Sequence, residues 1–236
     1  MPKTTTWVQP LLQCTNGHNL LGDRLGTSTI CLLMKVNRSG QAQILDDVQL
    51  DQLAAAMPAG PHRIACLLTR YTACRISECL ALRWGYIANG VVVFPGSITK
   101  SGKTREVDIH PRLSCALDQW RTEWSDYRLN GKPIHERVDI APGALPGADH
   151  FLFPGLGFAT HMKRQSYDRV LRRTLQELAI KGASSHSMRR SSLTKLADAG
   201  TPLRHIMEVS GHQSLDVLSR YLGCTPKQRR AAINAL

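Results

Sequence analysis

The chain contains no apolar run approaching the length of a membrane span. Its first residues, MPKTTTWVQP, lack the charged start and apolar block of a secretory leader. A membrane partner is therefore not expected, and the chain reads as an intracellular protein. Paired metal-ligand spacing is missing too. The seven cysteines, Cys14, Cys31, Cys66, Cys74, Cys79, Cys115 and Cys224, are scattered and include no C-x-x-C. A zinc site is thus not expected. Several lie inside apolar runs and read as small buried hydrophobes in a reducing compartment. No internal repeat is visible.

Acidic residues are scarce. Eighteen Asp and Glu face 30 Lys and Arg, for a net charge of +12. The imbalance is local. Residues 1–60 hold four basic side chains (Lys3, Arg24, Lys35, Arg38) and four acids (Asp23, Asp46, Asp47, Asp51), so the whole excess lies in 61–236. Residues 161–190 carry eight Lys and Arg against Asp168 and Glu177. A basic domain behind a neutral leader implies a polyanionic partner, nucleic acid before any other.

The 236 residues suffice for one large domain, or a domain with a small appendage. Residues 1–44 are hard to read; TICLLMKV within them suits a strand or a short helix. From Asp46 the pattern is helical. DDVQLDQLAAAM stops at Pro58 and Gly60, HRIACLLTRYTA aligns Ile64, Leu67, Leu68 and Tyr71, and RISECLALRW aligns Ile76, Cys79 and Leu80. The period then changes. Asn89-Gly90 and Ser101-Gly102 punctuate β-forming residues, which predicts a three-stranded antiparallel sheet over 85–88, 91–99 and 104–109. Helix returns at PRLSCALDQWRTEWSDYRL, and 130–158, with five Gly and four Pro, reads as a long loop. The last third is helical. SYDRVLRRTLQELAI buries Val170, Leu171, Leu175 and Leu178 and ends at Gly182. SMRRSSLTKLADAG follows, Thr201-Pro202 is expected to supply an N-cap and first-turn proline, and Ser214 to cap a final helix striped by Leu215, Leu218 and Leu222. The fold class is mainly α (α+β), a helical domain with a small three-stranded antiparallel sheet.

Some polar residues stand where packing does not ask for them. Arg75 lies between apolar helical segments, Lys100 at a hairpin tip, and His186 and Arg189 three apart. His212 follows a glycine, and Tyr221 comes nine residues later. Singly each is unremarkable. In this order they resemble the catalytic domain of the tyrosine recombinases, the phage integrase family. ACRISECLALRW is similar to the family's first arginine box, with Glu78 at its usual place. TKSGKTREVDIHP is similar to its hairpin, and SSHSMRRSSLTKLADAGTPLRHIMEVSGHQSLDVLSRYLG to its second box and nucleophile. The resemblance covers roughly 46–225.

It implies a site-specific recombinase that breaks and rejoins double-stranded DNA through a covalent 3′-phosphotyrosine intermediate. Tyr221 would be the nucleophile, Arg75 and Arg189 the phosphate clamp, and Lys100 the general acid. His186 would accept the tyrosine proton or hold a phosphate oxygen, His212 would donate a further hydrogen bond, and Glu78 would orient its neighbours. No cofactor or metal is required, because the phosphotyrosine link keeps the bond energy. Lys103, Arg105, Lys163, Arg164, Arg169, Arg172, Arg173 and Arg190 are the candidate DNA contacts. Self-association on DNA, from dimer to tetramer, and a cytoplasmic, nucleoid-associated location go with this reading.

Two small departures touch no reacting group: Ala73-Cys74 replaces the family's usual Gly-Leu, and Met188 its leucine. A larger one lies at the N-terminus. Residues 1–45 are too short and too neutral for the separate helical domain that most members carry, which leaves 46–236 as the catalytic domain with a short tail, CTPKQRRAAINAL. The tail suits either docking on a neighbouring protomer or a frayed end. The rivals are a type IB topoisomerase, which shares the chemistry, and a DNA-binding or assembly protein on this fold with weak or no activity.

Overall fold

The computed structural model describes residues 41–157 and 159–222, together with 230, 233 and 234. The TICLLMKV run, Cys14, Cys31, Cys224 and nearly all of the basic tail lie outside these residues.

Chemistry at the ends starts the first helices. Helix α1 (Asp47–Ala56) opens with a capping box: Asp46 accepts from the Gln49 N–H at 2.8 Å, and Gln49 accepts from the Asp46 N–H at 3.2 Å. Helix α2 (Pro61–Thr72) begins on a proline and stops where Ala73 turns left-handed, φ 50°. Short helix α3 (Ile76–Leu80) starts directly after Arg75. Strand β1 (Ile87–Ala88) turns through Asn89 and Gly90, φ 52° and 77°, into β2 (Val91–Phe94). Two consecutive positive φ values are what an Asn-Gly hairpin turn needs. Strand β3 (Arg105–Asp108) completes the antiparallel sheet, with Phe94 opposite Arg105 and Val91 opposite Asp108.

The order β1-β2-β3 agrees with expectation, but β2 ends at Phe94, not at residue 99. A 3-10 turn at Gly96–Ile98 takes over. The segment 95–104 is folded on itself: Thr99 Oγ1 donates toward the Gly96 and Lys103 carbonyls, and a side chain at Gly96 would meet the Gly102 carbonyl at 2.4 Å.

Helix α4 (Pro111–Glu123) carries Trp120, and Trp124 follows it; both are buried. Their indole N–H groups donate to the Leu152 and Phe151 carbonyls at 3.0 and 3.2 Å. That pins the middle of the 130–158 segment, where Leu152 and Phe153 are buried. The segment is also more structured than the expected loop. Strands β4 (Arg128–Leu129) and β5 (Lys132–Pro133) pair at its start, and α5 (His135–Val138) follows.

Helix α6 (Arg164–Glu177) buries Tyr167, Leu171, Thr174 and Leu175, while Val170 and Leu178 are half-buried. It ends at Leu178, ahead of the expected Gly182. Helix α7 (Ser185–Asp198) has a capping box from Ser184 and Ser187. Helix α8 (Leu203–Ser210) has Pro202 at its N-cap position, one residue later than expected and with no capping side-chain hydrogen bond. Helix α9 (Leu215–Ser219) is capped by Ser214, whose Oγ accepts from the Val217 N–H at 3.3 Å. Its stripe is incomplete. Leu218 is buried and Leu222 half-buried, but Leu215 is 52 % exposed.

Helix α2 is the centre of the packing, touching α1, α3, α4, α6 and α7. Ahead of α1, Ala42 and Leu45 are buried; the Leu45 N–H donates to Ser191 Oγ at 2.7 Å. A smaller apolar cluster of Ala73, Leu193, Ile206 and Leu218 underlies α7, α8 and α9, and Tyr221 packs on it. Cys66, Cys74 and Cys79 are buried as expected, and burial pushes the Cys66 thiol up to about 12. Cys115 is exposed instead.

Candidate active site

Five segments meet at one buried polar cluster: α3, β3, α7, the turn after α8 and the residues just past α9. Arg75 sits at the cap position of α3, and Glu78 is one turn on. The Glu78 carboxylate is 1 % exposed and fully engaged. Arg75 Nη1 donates to Oε1 at 2.8 Å, while Oε2 accepts from the Arg75 N–H at 3.3 Å and from Arg105 Nη2 at 2.6 Å. Burial alone would raise this carboxyl, but Arg105 and then Arg75 outweigh it and hold it below its usual range.

Arg189 enters from α7 and is 1 % exposed. Nη1 donates to the Ala73 carbonyl, which ends α2 two residues before Arg75. Nη2 donates to the Ser210 carbonyl at 2.9 Å and reaches His212 Nε2 at 3.0 Å. Nε is buried without an acceptor among the described residues. Burial first, and Arg75 second, push this guanidinium down to about 10, so it stays charged at neutral pH.

His212 follows Gly211, whose φ of 70° ends α8 in the left-handed region. Arg189 can only donate, so Nε2 of His212 must be the unprotonated nitrogen. Nδ1 then carries the hydrogen and donates to Ser210 Oγ at 2.7 Å. Burial, then Arg189, Arg75 and Arg105, push the imidazole down to about 3. It is a neutral ring whose Nε2 accepts a hydrogen bond.

Tyr221 lies just past α9. Its N–H donates to the Leu218 carbonyl at 2.8 Å, a tighter turn than the α-helix makes, which frees it from the helical stripe. The half-buried ring is 4.9 Å from the His212 ring and 5.5 Å from the Arg189 guanidinium carbon. Lys100 stands exposed at the head of the folded 95–104 loop. That loop is tethered to the His212 turn, since Gln213 Nε2 donates to the Ser101 carbonyl at 3.4 Å. His186, three residues before Arg189 on α7, lines a cleft of about 360 Å³ with Arg164, Asp168 and Arg172 of α6. The cluster therefore gathers Arg75, Glu78, Arg189, His212 and Tyr221, with the Lys100 turn tied to its edge; the cleft that His186 lines includes none of these five side chains.

Six of the eight candidate DNA contacts are exposed: Lys103, Lys163, Arg164, Arg169, Arg172 and Arg173. Two are built into the fold. Arg190 donates to the Ala42 carbonyl at 2.6 Å. Arg105 is inside the cluster, with its side chain 8 % exposed. A period-two reading of β3 would have found it, because Arg105 shares the face of buried Val107. Ser210 was also missed; its only sequence signal is its place two residues before His212.

The profile of the phage integrase family matches residues 43–227. The chain belongs to the phage integrase family. Among relatives of this phage integrase domain, the tyrosine recombinase XerC of Pediococcus pentosaceus is 27% identical over 170 residues, covering 71% of this chain and 51% of that protein. The tyrosine recombinase XerD of Chlamydia pneumoniae is 28% identical over 178 residues, covering 72% and 53%. The chain thus spans about half the length of these curated relatives. Its fold is that of tyrosine recombinase catalytic domains. The XerH site-specific recombinase bound to palindromic difH substrate superposes with a TM-score of 0.62 at 17% identity, covering 84% of this chain and 55% of that one. XerA recombinase gives 0.61 at 15%, covering 84% and 66%.

Proposed function

We propose that this phage integrase domain cuts and rejoins double-stranded DNA as a site-specific recombinase, with Tyr221 as the nucleophile. The observation that carries the reading is the convergence of Tyr221, His212 and Arg189, from three separate segments, within 5.5 Å or less of one another. In this reading the Tyr221 oxygen attacks the scissile phosphorus as the bond from phosphorus to the 5′ oxygen breaks. A free phenol, with a pKa of about 10, is a weak nucleophile at neutral pH, so its proton must be taken up. His186 is the candidate acceptor, because His212 at about 3 is too weak a base. Lys100 gives a proton to the departing 5′ oxygen. A free 5′ hydroxyl from a partner strand later attacks the phosphotyrosine and reverses these steps, without metal or cofactor.

Arg75 and Arg189 take the non-bridging oxygens, as guanidiniums suit planar two-point recognition. Each well-placed donor would contribute about 3 kcal/mol to the transition state. Glu78 holds Arg75 and does not react. The exposed arginines of α6 are the proposed DNA backbone contacts. Self-association on DNA and residence at the nucleoid belong to the same reading.

The test is a nicked DNA substrate from which the short fragment bearing the free 5′ hydroxyl diffuses away, stranding the intermediate. Wild type should give a protein–DNA band that survives denaturation, and Tyr221→Phe should give none. Equal bands from both proteins would remove Tyr221 from the reaction.

A further inference from the structure

Arg105 touches three parts of the site that are distant in sequence. Nη2 holds Glu78 Oε2 at 2.6 Å, and through that carboxylate the position of Arg75. Nε donates to the Val209 carbonyl at 3.2 Å, near the end of α8. The guanidinium lies over the Phe94 ring, with its carbon 4.3 Å from the centroid, which fixes its plane to β2. It also presses on Gly211. A side chain added there would meet Nη1, Cδ and Cζ at 3.1 to 3.3 Å. Gly211 is the residue before His212, so one guanidinium spans the supports of Arg75 and His212.

A solvated DNA-contact arginine would look different. Arg105 Nη1 is buried with no acceptor among the described residues. Leaving a charged donor unsatisfied is costly, and structures keep such groups for a reason. Without Arg105, the buried Glu78 carboxylate would keep one guanidinium partner, and Oε2 only the long 3.3 Å bond from the Arg75 N–H. Arg105 supplies the second partner from the strand that follows the Lys100 loop.

We infer that Arg105 is a positioning residue for strand cleavage: it sets Arg75, through Glu78, and the His212 turn at the spacing one phosphate requires. The inference rests on the reading of the site as a DNA strand transferase. A misplacement of about 1 Å in such a site costs roughly 10²-fold in rate.

The experiment measures single-turnover formation of the covalent adduct on the nicked substrate, with DNA affinity and melting followed in parallel. Arg105→Lys keeps the charge beside Glu78 but cannot hold Glu78, Val209 and the Phe94 face in one rigid plane. It is expected to stay folded at the assay temperature though melting below wild type, to bind DNA as wild type does, and to form adduct roughly 10²-fold more slowly. Glu78→Gln should slow the reaction as well, and the double variant should lose less than the product of the two single losses, because both share the contact that sets Arg75. Arg105→Lys reacting at the wild-type rate overturns the inference. So does a double variant whose losses multiply in full, which would mean that Arg105 has no share in setting Arg75 through Glu78. Weakened DNA binding with an unchanged rate would return Arg105 to the DNA contacts. If wild type forms no adduct at all, the strand-transferase reading itself fails, and the inference with it.

Discussion

The arginines of α6 and those of the central cluster are the same residue doing opposite work. On α6, Arg164, Arg169, Arg172 and Arg173 are exposed, and their acid partners are one turn away on the same helix: Asp168 at 3.3 Å from Arg164, Glu177 at 3.6 Å from Arg173. Such pairs contribute little, typically below about 0.5 kcal/mol. In the cluster, Arg105 and Arg189 are nearly sealed from water, and every described hydrogen-bond partner comes from a distant segment. Those bonds hold the fold's ends together and impose one geometry. Charge on the outside attracts a polyanion; charge on the inside is organised in advance for one phosphate.

Substitutions should separate the two sets sharply. Arg189→Ala is expected to have the largest effect. It strands the Ala73 and Ser210 carbonyls and leaves a void, so stability in urea should fall by about 3 kcal/mol, with adduct formation lost. A loss below about 0.5 kcal/mol would make it no different from an exposed arginine. Gly211→Ala comes next. Its left-handed φ and the guanidinium 3.1 Å away should together cost about 2 kcal/mol in the same denaturation curves.

Ser210→Ala should cost about 1 kcal/mol, because the His212 Nδ1–H loses its acceptor. The pH dependence has a definite sign. An unfolded histidine titrates near about 6.5, whereas folded His212 is held at about 3. Between those values only the unfolded chain binds the proton, so the His212 contribution is complete above the unfolded value and is lost as pH falls through about 3. Imidazole NMR signals should stay in the neutral position from pH 8 to about 5; a midpoint near the unfolded value would contradict the burial argument.

The smallest effect on stability belongs to α6. Arg169→Ala with Arg172→Ala should stay within about 0.5 kcal/mol of wild type in urea. DNA affinity should fall all the same, and the slope of log affinity against log salt should drop by about 0.9 for each phosphate contact removed. An unchanged slope would take these arginines off the DNA.

What was legible in the sequence follows this division. Asn89-Gly90 announced its hairpin because few residues tolerate two positive φ values in succession. The order from Arg75 to Tyr221 carried the family, since recurring spacing reflects shared geometry. Polar residues turned inward were harder. Arg105 and Arg190 read as surface charge because arginine is rarely buried, and only the strand period beside Val107 hinted otherwise. Leu215 was assigned to the core by helical spacing, but α9 is too short to bury a full stripe, and the chain tightens at Tyr221. Tyr221 therefore packs and also faces the cluster, two roles that periodicity treats as alternatives.

The most direct test of the account is the chemical identity of the residue joined to DNA. Protease digestion of the trapped adduct, followed by mass spectrometry, should find a nucleotide 3′-phosphate on the peptide containing Tyr221. The same peptide recovered unmodified, with the nucleotide on another residue or on none, would contradict it.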